Sequence, residues 1–85
     1  MPGPTAADRA RALWHARRGM RELDLLLLPF VRDQAARLDA VGFAALERLL
    51  ERPDEVLLEW LMGRQLPTDP DLERLVQRIR AAVPA

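Results

Sequence analysis

The densest group of residues able to bind charged ligands is the segment Arg17–Asp24, which reads Arg-Arg-Gly-Met-Arg-Glu-Leu-Asp. It combines three guanidinium groups with two carboxylates. A guanidinium group presents its donors in a planar fork that matches a carboxylate or a phosphate, so the chemistry indicated is recognition of an anionic group. Gly19, in the middle of the segment, permits backbone angles that other residues avoid. The segment therefore predicts a binding surface at a junction between two helices.

Ordinary helix chemistry accounts for part of this segment. Helices commonly end on a glycine in the left-handed conformation, which explains Gly19 whatever the function. Glu22 and Asp24 suit the positive N-terminus of a helix that begins near Met20, whereas Arg21 opposes that dipole by a few tenths of a kcal/mol. A cation placed against this preference indicates a contact with a partner or with a nearby carboxylate.

Elsewhere the sequence shows no constellation of catalytic or metal-binding residues. It has no cysteine and one histidine, His15, which excludes thiol nucleophiles, disulfides and histidine-rich zinc sites. Five acids of the predicted third and fourth helices are expected to form a solvated face; they are Glu47, Glu51, Asp54, Glu55 and Glu59. They do not indicate an acid/base dyad, because nothing apolar surrounds them that would separate their pKa values. Composition and spacing therefore predict a small helical binding module without a metal site.

The charge is distributed unevenly although the formal net charge is zero. Residues 1–21 hold five arginines against one acid, and residues 22–85 hold eight arginines against twelve acids. This asymmetry predicts a cationic end that meets an anionic partner. Nucleic acid is disfavoured as that partner, because the sequence pI of about 6.6 is well below that of typical nucleic-acid-binding domains.

Length and hydropathy limit the architecture. Eighty-five residues correspond to one domain, 1–85, and a hydrophobic fraction of 49% is enough for one core but for no roomy internal site. The longest apolar run, Leu25–Leu28, is far shorter than the roughly 20 residues of a membrane helix, and residues 1–4 lack the features of a signal peptide. We expect a cytoplasmic protein without membrane insertion.

Helix signals recur along the chain, and no segment shows strand alternation. Residues 1–5 and 83–85 are expected to be flexible, with a capping box formed by Thr5 and Asp8 at the first helix. Further N-caps are predicted at Asp39 and Asp69, and a terminating glycine at Gly63. The fold class is all-α, a compact bundle of about five short helices, whose predicted limits are about Ala6 to Arg18, Met20 to Arg37, Ala40 to Glu51, Pro53 or Asp54 to Met62, and Pro70 to Ala82.

Hydrophobic spacing predicts the buried face of each helix. Pro29 is expected to kink the second helix or to split it, and we favour the kink. The run Leu25–Leu28 is apolar on all sides, which indicates either complete burial or one face left for a partner. Trp14 and Trp60 are expected to pack in the core or at its rim. The predicted core residues, helix by helix, are Ala10, Leu13 and Trp14; Leu23, Leu26, Leu27, Phe30, Val31, Ala35 and Leu38; Val41, Leu46, Leu49 and Leu50; Val56, Leu57, Trp60 and Leu61; and Leu72, Leu75, Val76 and Ile79.

The five residues that begin at Arg18 form an Arg-Gly-x-x-Glu motif. It resembles the signature of the bacterial FAD assembly factor SdhE family and of its mitochondrial counterpart, succinate dehydrogenase assembly factor 2. The likeness covers about residues 9–80, because further landmarks follow in order. These are Trp14, Leu28-Pro29-Phe30, Leu49-Leu50-Glu51, Pro53-Asp54 and Trp60-Leu61-Met62-Gly63.

The resemblance implies a five-helix, non-enzymatic assembly factor that binds the flavoprotein subunit of succinate dehydrogenase and, in bacteria, that of fumarate reductase. It implies that this factor promotes covalent attachment of FAD to a histidine of that subunit and binds no cofactor tightly itself. We expect the bacterial form, acting as a monomer. The family's motif falls on Arg18, Gly19 and Glu22, flanked by Met20, Arg21 and Asp24, and these six residues are the predicted partner-binding site.

Two mechanisms are compatible with this resemblance. Arg18 or Arg21 could stabilise negative charge on the flavin during attachment, or the chain could hold the flavoprotein in a conformation that supplies its own charge. We favour the second, because a small convex helical domain can hardly enclose a flavin. Two alternatives to the assignment itself are a general helical adaptor, which docks an acidic partner through the arginine-rich first helix, and a small nucleic-acid binder.

Overall fold

The computed structural model describes residues 3–82, which form five α-helices and one short 3₁₀ turn. The helices are α1 (Ala6–Ala16), α2 (Arg21–Gln34), α3 (Ala40–Leu50), α4 (Asp54–Leu61) and α5 (Pro70–Ala81), and the 3₁₀ turn spans Ala35–Arg37. The predicted all-α bundle is confirmed. Residues 1–2 and 83–85, which belong to the predicted flexible ends, lie outside the described part.

The predicted N-caps are confirmed at three helices. At α1 the Thr5 hydroxyl accepts from the Asp8 N–H at 3.1 Å, and the Asp8 carboxylate accepts from the Thr5 N–H at 2.9 Å. Asp39 caps α3 by accepting from the Gly42 N–H at 2.7 Å. Asp69 caps α5, where Pro70 occupies the first helical position. Each cap supplies an acceptor to a backbone donor that has no partner inside the helix.

The long second helix continues through its proline. α2 remains α-helical on both sides of Pro29 as far as Gln34, so the alternative of two separate helices is excluded. The segment predicted to extend it to Arg37 is instead the 3₁₀ turn, which ends at the extended residue Leu38. A 3₁₀ turn is a common way for an α-helix to end, because its tighter bonds satisfy carbonyls of the last turn.

The core lies where the five helices meet, and most of its members follow the predicted spacing. All four predicted residues of α5 are buried, as are three of the four predicted in α3. α5 packs against α2, α3 and α4, and α1 packs against α2 and α3. The buried set is Ala12, Ala16, Leu23, Leu27, Phe30, Val31, Ala35, Leu38, Phe43, Ala45, Leu46, Leu49, Leu50, Leu57, Leu61, Leu72, Leu75, Val76 and Ile79.

The predicted face of α1 is wrong. Ala12 and Ala16 are buried, whereas Ala10 is exposed, Leu13 is half-buried and Trp14 is 72% exposed. Alanines on the inner face allow a helix to approach its neighbours closely, so this face buries small side chains and turns the large aromatic outward. The expectation that Trp14 packs in the core or at its rim is therefore also wrong.

Four other residues depart from the prediction or refine it. Leu26 is half-buried and packs against the core. Val41 is 58% exposed and lines an open groove together with charged side chains of α5. Val56 is half-buried rather than buried. Trp60 is half-buried and packs against the core, as expected for a residue at its rim. No helix within residues 3–82 has both the length and the apolar composition that crossing a membrane requires.

Candidate functional site

The α1–α2 junction, defined as Arg17–Glu22, consists of a tight loop and the first two residues of α2, and one glycine of the loop has left-handed backbone angles. α1 ends at Ala16, two residues before the predicted end, because Arg17 is already extended with φ −79° and ψ 100°. Gly19 has φ +79°, which confirms the predicted left-handed conformation. Met20 is extended again and precedes the first residue of α2. Gly19 thus lies within the loop and is not the residue directly after the helix cap.

Gly63, the other glycine with a positive φ, terminates a helix directly and can be compared with Gly19. Its N–H donates to the carbonyl of Trp60 at 3.1 Å, and the next N–H, of Arg64, donates to Glu59 at 2.9 Å. These two bonds define a Schellman motif, which confirms that Gly63 terminates α4. At Gly19 a Cβ atom would meet nothing within 4 Å. Gly19 is therefore required for its backbone angles and not for lack of space.

The guanidinium group of Arg18 is directed into the protein and donates four hydrogen bonds. Nε donates to Asp54 Oδ1 at 2.8 Å, and one terminal nitrogen donates to the carbonyls of His15 at 3.1 Å and Leu50 at 2.7 Å. The other terminal nitrogen donates to the carbonyl of Arg52 at 2.7 Å. The side chain is only 16% exposed. This network, which we call the Arg18 cluster, connects the end of α1 to the α3–α4 turn.

The backbone N–H of Arg18 also has a hydrogen-bond partner within the protein. This N–H donates to Asp24 Oδ1 at 2.8 Å, across the loop. Asp24 is half-buried and lies in the first turn of α2, where a carboxylate is favoured by the helix dipole. One predicted site residue is therefore anchored by another, through one carboxylate oxygen of Asp24.

The remaining predicted site residues divide into one that packs and two that are exposed. Met20 is half-buried against the core. Arg21 and Glu22 are exposed, and neither forms a hydrogen bond or an ion pair with any residue between 3 and 82. The neighbouring Arg17 is exposed as well. The junction therefore presents two guanidinium groups and one carboxylate on a loop whose backbone is fixed.

A groove of about 490 Å³ continues from this loop along the outer side of α2. Leu25, which is 66% exposed, lies in its wall between Arg21 and Pro29. Of the two predictions for the run Leu25–Leu28, the structure favours an outward-facing member. The groove is lined by Gly19, Arg21, Asp24, Leu25, Leu28, Pro29 and Arg32.

Comparison with known proteins identifies the family. The sequence profile of the family described as flavinator of succinate dehydrogenase matches residues 10–83, which include the whole junction. The chain belongs to this flavinator family. The resemblance predicted from the Arg-Gly-x-x-Glu motif is thereby confirmed.

Curated relatives agree with this membership. The FAD assembly factor SdhE of Pseudomonas aeruginosa is 48% identical over 69 residues, which are 81% of this chain and 82% of the relative. The protein of the same name from Shewanella oneidensis is 42% identical over 71 residues, 84% of this chain and 87% of the relative. That of Colwellia psychrerythraea is 40% identical over 72 residues, 85% and 79% of the two chains.

Two of the five acids predicted to form a solvated face are paired in this member of the flavinator family. Asp54 accepts from Arg18, and Glu59 accepts from Arg64 Nε at 2.7 Å. Asp54 is thus a residue that the sequence reasoning missed. The available signal was its place directly after Pro53, at the start of a helix that faces the end of α3. Within residues 3–82 no three potential ligands are placed to hold a metal ion.

The far end of the groove has its own ion pair. Arg32 Nε donates to Asp33 Oδ1 at 3.1 Å, and this bond lowers the pKa of the Asp33 carboxyl and raises that of Arg32. Two guanidinium groups line this groove, those of Arg21 and Arg32. Because Arg32 is already paired, Arg21 is the one of the two without an ion-pair partner within residues 3–82. The positive charge available to a partner is therefore concentrated at the junction end.

Proposed function

We propose that this chain promotes covalent attachment of FAD to the flavoprotein subunit of succinate dehydrogenase, and that it docks on that subunit through the α1–α2 junction. Family membership supports the reaction. One structural observation supports the docking surface. Arg21 and Glu22, adjacent in sequence and opposite in charge, are both exposed at the start of α2 without partners in the described part of the chain.

The geometry favours a conformational role over direct contact with the flavin. Attachment requires the flavin to lose a proton, and a fixed cation would stabilise the resulting negative charge. The Arg18 guanidinium is already committed to four internal acceptors. Arg21 is exposed at one end of an open groove, which does not enclose a ligand as a deep pocket does. We therefore propose that the junction holds the flavoprotein in the conformation in which its own residues carry out the attachment.

Several finer statements belong to the same proposal. The chain acts as a cytoplasmic monomer, leaves the FAD bound to its partner, and is not itself a catalyst. The flavoprotein of fumarate reductase is a second client. Co-expression with each flavoprotein in turn, followed by size-exclusion chromatography with light scattering, tests the clients and the 1:1 stoichiometry together.

The main experiment measures covalent flavin by in-gel fluorescence after co-expression in a bacterium that lacks its own assembly factor. Unaltered chain should raise the flavinylated fraction, and Arg18→Ala, Gly19→Arg and Glu22→Ala should each reduce it. Glu47→Ala, an exposed acid on α3 outside the junction, is the control. Wild-type flavinylation with all three variants would refute the docking surface. Absence of any effect of the unaltered chain would refute the function.

The competing adaptor hypothesis relies on the arginines of α1. Both arginines of α1 already have internal contacts: Arg9 donates to the carbonyl of Pro4 at 3.0 Å, and Arg11 pairs with Asp8 at 3.2 Å. Only the second contact offsets a positive charge, because the carbonyl of Pro4 is neutral. An adaptor would retain its partner when Glu22 is replaced and would lose it when Arg9 and Arg11 are replaced.

A further inference from the structure

We propose that Asp54, together with the carbonyls of the α3–α4 turn, positions the docking loop through Arg18. Asp54 lies 36 positions from Arg18 and outside the Arg-Gly-x-x-Glu motif, although it is one of the further landmarks of the family resemblance. The proposal rests on the proposed function only in its last step, from loop geometry to partner binding. Its first step concerns the isolated chain alone.

The α3–α4 turn provides two backbone carbonyls that accept hydrogen bonds from Arg18. α3 ends at Leu50, and the carbonyls of Leu50 and Arg52 at this end both accept from the guanidinium group. A cation at this position also compensates the negative end of the α3 dipole. Arg18 therefore caps α3 from a different part of the chain, which is a role that lysine, with a single ammonium group, cannot reproduce geometrically.

Asp54 fixes the remaining edge of the guanidinium plane. Its carboxylate accepts from Nε at 2.8 Å, and it lies in the first turn of α4, where the dipole favours an acid. The Arg18 side chain is 16% exposed, so without Asp54 its Nε–H would face a partly desolvated space with no acceptor. We expect the side chain to leave this position in that case, because a buried unsatisfied donor is unfavourable.

Movement of the Arg18 side chain must alter the loop that Arg18 belongs to. Arg17 and Gly19 are its direct neighbours, and both are exposed on the junction. The three arginines of the junction therefore have two different roles. Arg18 is a positioning residue whose charge is used inside the protein, whereas Arg17 and Arg21 supply the positive charge that a partner meets.

The test compares Asp54→Ala with Glu59→Ala. Both remove a carboxylate from α4 that accepts from an arginine Nε, at 2.8 Å and 2.7 Å respectively, but only the first belongs to the Arg18 cluster. Amide chemical shifts of the isolated chain are measured by NMR, and helical content by circular dichroism. We expect Asp54→Ala to remain helical and to shift the amides of residues 17–22, and Glu59→Ala to leave those amides unchanged. Unchanged amides in Asp54→Ala would overturn the proposal.

Partner affinity supplies the second readout. We expect Asp54→Ala to weaken binding of the succinate dehydrogenase flavoprotein roughly tenfold, which is about 1.4 kcal/mol, and Glu59→Ala to leave it unchanged. Arg18→Ala combined with Asp54→Ala should weaken binding no more than Arg18→Ala alone, because the two residues act as a unit. Additive losses, or wild-type affinity in Asp54→Ala, would overturn the positioning role. If the unaltered chain binds no flavoprotein, the proposed function fails while the amide result still stands.

Discussion

The carboxylate of Asp24 accepts the backbone N–H of Arg18 at 2.8 Å and so closes the α1–α2 junction from the α2 side. Both residues were predicted to contact a partner, yet the structure uses them to hold each other. Within the predicted site, structural and exposed residues can therefore be separated by experiment.

Replacing Asp24 should affect stability more than replacing Glu22. Asp24→Ala leaves the Arg18 N–H without an acceptor in a half-buried position, and a hydrogen bond to a charged group contributes roughly 1.5–3 kcal/mol. Glu22→Ala removes an exposed carboxylate without a partner in residues 3–82, and should change the free energy of unfolding by less than about 0.5 kcal/mol. Urea denaturation followed by circular dichroism measures both. Equal destabilisation would contradict the assigned structural role of Asp24.

The backbone angles of Gly19 lead to a graded prediction. At φ +79° an alanine is disfavoured by about 1–2 kcal/mol, whereas asparagine tolerates this region better. Gly19→Ala should therefore lower the free energy of unfolding by that amount, and Gly19→Asn by less. Because a Cβ at this position meets nothing within 4 Å, Gly19→Arg should be no less stable than Gly19→Ala. A much larger loss in the arginine variant, measured by thermal unfolding, would contradict the open space.

The exposed leucine of α2 should contribute to binding. Leu25→Ser removes an apolar side chain that is 66% exposed, so the free energy of unfolding should change by only about 0.5 kcal/mol. If the groove contacts the flavoprotein, the affinity should fall by more than about 1 kcal/mol, as for a central interface residue. Val41→Ser is the matched control, since Val41 is 58% exposed and lies outside this groove. Titration calorimetry with the flavoprotein distinguishes the two variants, and equal affinities would exclude Leu25 from the contact.

The capping box at α1 should make the start of this helix sensitive to acid. Hydrogen bonds from the backbone and side chain of Thr5 lower the pKa of the Asp8 carboxyl below its ordinary value of 3.8. A depressed pKa stabilises the folded state above pH 3.8, and this contribution is lost as the pH falls through the folded-state pKa. The protection factors of the first-turn amides, which correct for the slower intrinsic exchange in acid, should therefore decrease below about pH 4.

Replacement of the other capping residue provides the control for this effect. Thr5→Ala should lower the free energy of unfolding by about 1 kcal/mol, as is usual for loss of an N-cap hydroxyl. It should also reduce the acid sensitivity of the first turn in part, because the side-chain hydrogen bond of Thr5 is lost while the larger contribution, the bond from the backbone N–H of residue 5, is retained. Greater acid sensitivity than in the unaltered chain would contradict this assignment.

For α5, the sequence rules for helix caps and hydrophobic spacing were sufficient to predict the structure. Its N-cap Asp69, its first residue Pro70 and the spacing of its apolar residues all indicate one helix with one buried face, and the structure agrees with each. The face of α1 was not predictable in this way, because its buried residues are alanines. A small side chain gives a weak hydrophobic signal, so Trp14 dominated the pattern although it lies outside the core.

The candidate site was located by sequence, but the roles of its members were not. The motif and the glycine identify the junction, since they depend on neighbours in the chain. The direction of the Arg18 side chain depends on Leu50, Arg52 and Asp54, which lie 32 to 36 positions away. No local pattern contains that information, because it arises only when α1 and α3 pack together.

Because the loop is anchored at two points, we expect the flavoprotein, rather than this chain, to change conformation when the proposed complex forms. Arg18 is fixed through its N–H and through its guanidinium group, so the junction is preorganised before any encounter. A preorganised surface loses little conformational entropy on association, and its binding energy remains available for other work. In the proposed complex this energy can be used to reshape the flavoprotein. The small chain then acts as a rigid template, and the larger protein is the one that changes shape.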